Sequence, residues 1–131
     1  MALKLTLKPG EKVAINGAVV VNGERRTEFV IENKASILRE SDIMRADEAT
    51  TPARLIYLPV MLMALDPTAR KDAFGEFDRR ITEFAEVVTD VAALGLCLKI
   101  SAAVANGAYY RALGHCRALI EFESERLSHV A

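Results

Sequence analysis

The side chains best suited to chemistry lie in the first forty residues of the chain. Lys4, Thr6 and Lys8 alternate with Leu3, Leu5 and Leu7, and Arg39 closes a later apolar run. In an extended strand, residues two apart share a face. Two ammonium groups and a hydroxyl therefore project together. Such a face suits the phosphates and base edges of a single-stranded nucleic acid. The same pattern also describes an ordinary solvated edge strand, where lysines discourage pairing with other chains. The binding reading requires Arg39 to join the lysines. That follows if the first and last strands neighbour each other, in one chain or across a dimer.

Catalysis has no comparable grouping. There is no Gly-rich phosphate loop, no nucleophile elbow and no metal-ligand spacing. His115 and His129 are the two histidines. His115 directly precedes Cys116, but adjacent residues on a helix diverge by about 100°, so they form no pair. Cys97 and Cys116 lie far apart without a CxxC motif and read as reduced thiols of a cytoplasmic protein. We expect no enzyme, no cofactor and no metal. No 18-residue apolar run and no secretion-signal pattern occur, so neither a membrane span nor export is expected.

The elements that must hold the basic face follow from turn chemistry and periodicity. Pro9-Gly10 stops the first strand. Asn16-Gly17 and Asn22-Gly23 each sit between β-branched runs, the pattern of a type I′ hairpin turn. Five strands are predicted: Ala2–Leu7, Val13–Ile15, Ala18–Val21, Thr27–Glu32 and Ala35–Leu38, with a last tight turn at Asn33-Lys34. Phe29 and Ile31 form the apolar face of the fourth strand. A unit this small buries little by itself and must pack on its helices or on a second copy.

Helices are predicted for the rest. Thr51 reads as an N-cap, Pro52 as the first helical residue, and Pro59 as an interior kink or restart. Asp66-Pro67 repeats the capping pattern. Phe74, Phe77, Ile81, Phe84, Val88, Val91, Leu94 and Leu98 step by three or four, which predicts one long helix with a slip near Leu94-Gly95. Asn106-Gly107 ends it. A last helix carries Tyr109, Leu113, Cys116, Ile120 and Leu127 on one stripe, interrupted by Glu123. The expected architecture is α+β: a small antiparallel β module over residues 1–44, then a helical hairpin or bundle over 45–131, a candidate for dimerisation or partner binding. Charge divides similarly. Through Arg39 there are seven basic and four acidic residues; the remainder holds ten and fourteen. The basic surplus points to an anionic partner for the first part alone.

Met1–Lys12, Ile15-Asn16-Gly17-Ala18, Ile31–Ala35, Ile37–Glu40 and Thr51–Arg54 resemble the FlbT family of bacterial flagellin-synthesis regulators, and the similarity runs along essentially the whole chain. It implies an RNA-binding regulator that associates with the 5′ untranslated region of flagellin mRNA and alters its translation and decay, as repressor or activator. It also implies a working link to the companion protein FlaF. Residues through Ile43 are separately similar to the carbon-storage regulator CsrA, in Leu3-x-Leu5-Thr6-x-Lys8-x-Gly10-Glu11 and Ser36-x-x-Arg39-Glu40. That likeness implies an intertwined homodimer whose first and last strands pair, with Thr6, Lys8 and Arg39 on RNA. The sequence departs at Leu7, where CsrA has a basic residue. The competing reading is an adaptor or chaperone that binds FlaF or flagellin through the Phe74–Leu98 seam or the apolar run Leu58–Leu65.

Overall fold

The computed structural model describes residues 2–130, and side chains through Arg126. The expectations for Leu127 and His129 lie outside the described side chains. The chain divides into two compact units, residues 1–43 and 44–131.

Among the described residues the first unit holds five antiparallel strands: β1 (Leu3–Leu7), β2 (Lys12–Ile15), β3 (Ala18–Val21), β4 (Thr27–Ile31) and β5 (Ile37–Arg39). They form two sheets, β1-β4 and β3-β2-β5. Period-2 alternation works as read. Leu5 lies opposite Phe29 and Leu3 opposite Ile31. Leu5 and Leu7 are buried with Val13, Ala14 and Leu38, while Leu3 stays partly exposed. Pro9-Gly10 makes a turn closed by Glu11 N–H on the Lys8 carbonyl at 3.0 Å, with Gly10 at φ +73°. Proline at the second turn position and a positive-φ glycine at the third are the pattern of a type II turn. Asn16-Gly17 joins β2 to β3 with φ values of +51° and +87°, the type I′ pattern.

Three local expectations are corrected. Asn22-Gly23 is no hairpin turn: Asn22 lies in a loop, and its side-chain amide takes up backbone carbonyls instead. Asn33-Lys34 joins no hairpin, because β4 and β5 belong to different sheets. The first and last strands do not pair within the chain: β1 pairs with β4, and β5 with β2.

Among the described residues the second unit holds four α-helices: α1 (Pro52–Leu65), α2 (Arg70–Val87), α3 (Val91–Ala105) and α4 (Tyr109–Val130). Thr51 caps α1 by accepting Arg54 N–H at 3.3 Å, with Pro52 at the first position. The helix runs unbroken through Pro59, so no restart occurs. Burial explains this: Ile56, Tyr57, Val60 and Met63 pack on both sides of the proline, and packing outweighs the lost hydrogen bond. α1 packs between α2 and α4, and α4 carries α3 on its other flank.

The long Phe74–Leu98 helix is divided in two. α2 ends at Val87, and α3 restarts where Asp90 accepts Ala93 N–H at 3.1 Å. The β-branched run Val87-Val88-Thr89 before that N-cap was the signal for the break. The apolar seam divides with it: Phe77, Ile81 and Phe84 are buried, whereas Val91 and Leu98 face outward. Asn106-Gly107 closes α3, with Gly107 at φ +71°.

Candidate nucleic-acid interface

The basic side chains of the first unit are sorted by the two sheets. Lys4 projects from β1 and is exposed, but it is not alone. Its Nζ lies 3.4 Å from Glu28 Oε1 on β4. The register places Lys4 opposite Val30 and Thr6 opposite Glu28. Opposite residues of an antiparallel pair share a face. The face of Lys4 and Thr6 therefore also carries a carboxylate. Thr6 is half-buried beside it. An exposed ion pair of this kind stabilises little, about 0–1 kcal/mol. Its electrostatic effect is to cancel the charge that a phosphate would meet.

Lys8 is placed differently. It follows β1 in the tight turn, and its N–H donates to Glu11 Oε1 at 2.8 Å. Its carbonyl accepts both Glu11 N–H and the amide of Asn22, the latter at 2.8 Å. The same Asn22 nitrogen donates to the Arg25 carbonyl at 2.9 Å and to the Leu7 carbonyl at 3.2 Å. One side-chain amide thus ties the Lys8 turn to the loop that bears Arg25 and Arg26. Two further bonds secure that loop: Gly10 N–H on the Gly23 carbonyl at 3.0 Å and Asn22 N–H on the Glu11 carbonyl at 2.8 Å.

Arg39 reaches the same region from the other sheet. It lies opposite Val13 on β2, one residue beyond Lys12, where the Lys8 turn enters that strand. Lys8, Lys12, Arg25, Arg26 and Arg39 are all exposed; Arg39 shares the face of Val13, whereas Lys12 projects from the opposite face of the sheet. The acidic neighbours are Glu11, whose carboxylate is engaged by a backbone N–H, Glu24 and Glu40. Lys8, in the turn that precedes β2, and Arg39, opposite the second residue of β2, thus both stand toward the start of that strand within a single chain, without pairing between their own strands. Lys4 and Thr6 stand apart on the β1-β4 ladder. Periodicity does not single out Arg25 and Arg26, because their loop has none; their sequence signal is their position after Asn22-Gly23.

The arrangement can hold an extended polyanion by charge and by hydrogen bonds from guanidinium groups. No described group of three or more His, Cys, Asp or Glu residues could hold a metal ion. In the second unit, burial pushes the Cys116 thiol up to about 12 and the Cys97 thiol above its usual value.

The family model described as flagellar protein FlbT matches residues 3–127. A protein of Caulobacter sp. (strain K31), named probable flagellum biosynthesis repressor protein FlbT, is 54% identical over 131 residues, covering 100% of both chains. The flagellum biosynthesis repressor protein FlbT of Caulobacter vibrioides (strain ATCC 19089 / CIP 103742 / CB 15) is 53% identical, covering 100% of this chain and 93% of that one. A probable FlbT repressor of Rhodopseudomonas palustris (strain TIE-1) is 37% identical over 134 residues, covering 98% and 99%. No solved structure matches the chain.

Proposed function

The chain belongs to the FlbT family of flagellar proteins, and from that premise we propose that it is a non-enzymatic repressor of flagellum biosynthesis acting after transcription in the cytoplasm. It binds the single-stranded 5′ untranslated region of flagellin mRNA and controls the translation and decay of that message. Repression is carried over from the names of the relatives. The RNA reading is supported by one feature: Asn22 ties the Lys8 turn, at the entry to β2, to the loop that bears Arg25 and Arg26, with Arg39 opposite Val13 on the same strand. Lys8 and Arg39 contact phosphates or base edges, and Lys4 and Thr6 take the periphery. Decay is the work of a recruited nuclease. Protein partners, FlaF or flagellin, meet the helical unit.

The decisive experiment measures binding of a flagellin leader RNA by the full chain and by the Lys8→Ala/Arg39→Ala variant across a salt series. The log–log salt slope changes by about 0.7 per single-strand phosphate contact. Losing two contacts makes it shallower by about 1.4 and weakens binding at low salt. Unchanged affinity and slope would remove the β unit as the RNA site. Recovery of FlaF or flagellin from nuclease-treated lysate would set direct protein contacts apart from RNA-bridged ones.

A further inference from the structure

Helix α3 is apolar on nearly every side. Its fifteen residues include one charge, Lys99. One stripe, with Ala93, Cys97, Ile100 and Val104, is buried. A helix that is apolar all round is ordinarily covered all round, yet α3 leaves a second stripe open. Val91 is 83% exposed and Leu98 73% exposed. Leu94 is half-buried, and Ser101 and Ala105 are exposed. These five step by three and four, the spacing of a coiled-coil seam. Beside them runs a groove of about 420 Å³, with Asp78, Ile81, Thr82 and Ala85 on the α2 wall. Other neighbouring helices of the unit pack closely, whereas α2 and α3 scarcely touch.

We propose that this seam is a homodimer interface, in which α3 of a second copy packs antiparallel on α3 with Leu98 at the two-fold axis. Register argues for a second copy. The stripe is centred on Leu98, with larger side chains toward its start and smaller ones toward its end. Antiparallel pairing about Leu98 sets Val91 opposite Ala105 of the second copy and Leu94 beside its Ser101. Large meets small on both arms, which is the self-complementarity an isologous contact requires. The five residues of the stripe bear no charge, and the charges beside it, Lys99 on α3 and Asp78 on the α2 wall, are opposite in sign. The inference rests on the helical unit alone and stands apart from the RNA reading.

Sedimentation equilibrium of the purified full chain tests it, with a cross-linking arm. The wild type should reach twice its 14.4 kDa chain mass. Leu98→Glu, at an exposed position, should keep its helical circular dichroism and raise the dimer dissociation constant at least about tenfold. In a Cys97→Ala background, Leu98→Cys should oxidise to a disulfide-linked dimer with copper-phenanthroline, and Lys99→Cys should not. The cross-link decides the matter if Leu98→Glu does not fold. A wild type that stays monomeric at its highest soluble concentration would overturn the proposal. So would a dimer that survives Leu98→Glu, equal cross-linking at positions 98 and 99, or a heterologous helix holding this face while self-association is absent.

Discussion

Glu123 Oε2 on α4 accepts the backbone N–H of Ala53 at 2.9 Å, so the one acid on the inner stripe of α4 serves the first turn of α1. The first four N–H groups of a helix have no partner within it, and a carboxylate there also meets the positive end of the helix dipole. The interruption in the stripe thereby acquires a purpose.

Replacing Glu123 by Ala should cost about 1 kcal/mol, in the usual range for losing a cap. Glu123→Gln keeps an acceptor without the charge and should cost less. Urea unfolding followed by helical circular dichroism orders the three proteins. A Gln variant no more stable than the Ala variant would show that an uncharged acceptor recovers nothing.

Asn22 holds the Lys8 and Arg25 carbonyls on one nitrogen. Asn22→Ala should lose about 1–3 kcal/mol from the β unit, at roughly 1 kcal/mol net per hydrogen bond. Asn22→Asp should do no better, because a carboxylate cannot donate to carbonyls. Faster amide exchange at Gly10 and Glu11 reports the loosening. Leader RNA binding should weaken in parallel if the staple presents the basic cluster.

Glu28 lies 3.4 Å from Lys4 and shares a face with Thr6. Glu28→Gln should strengthen leader RNA binding a few-fold at low salt, with the gain fading as salt screens the surface. Stability should change by less than about 1 kcal/mol, since the pair is exposed. Weaker binding in this variant would place the RNA elsewhere.

The Asp90 carboxyl is held below the usual carboxylate range, chiefly by Ala93 N–H and then by Arg126, whose Nη2 lies 2.6 Å away. A depressed native pKa means that the unfolded chain takes up the proton first. The stabilisation is full above the unfolded value, about 3.9, and is lost as pH falls through the lower native value. The stability gap between wild type and Asp90→Asn should therefore be constant near neutrality and shrink below about pH 4. Denaturant midpoints across that window measure it.

Burial raises the Cys116 thiol to about 12, which leaves almost no thiolate at pH 8. A thiol reagent should label Cys116 only as fast as the helical unit opens, and denaturant should release the reaction. Rapid labelling of the native chain would contradict the packing around it.

Some features were legible because they are decided within a few residues. The Asn16-Gly17 turn, the Thr51-Pro52 start and the shared apolar face of Leu5 and Phe29 follow from backbone sterics, capping and strand period. The α+β order of the chain is the sum of such local preferences. Partners distant in the chain were not legible. Asn22-Gly23 is the same dipeptide as Asn16-Gly17, yet Asn22 became a staple because folding brought three carbonyls to its amide. Periodicity ran through Val88, but the Asp90 cap, with its bond to Arg126, divided the helix. Glu28 reached Lys4 through the β1-β4 register, and Arg39 came opposite Val13 through the pairing of β5 with β2. Local preference can name a strand or a helix. Which charge faces which depends on chain closure over tens of residues, and only tertiary packing supplies that.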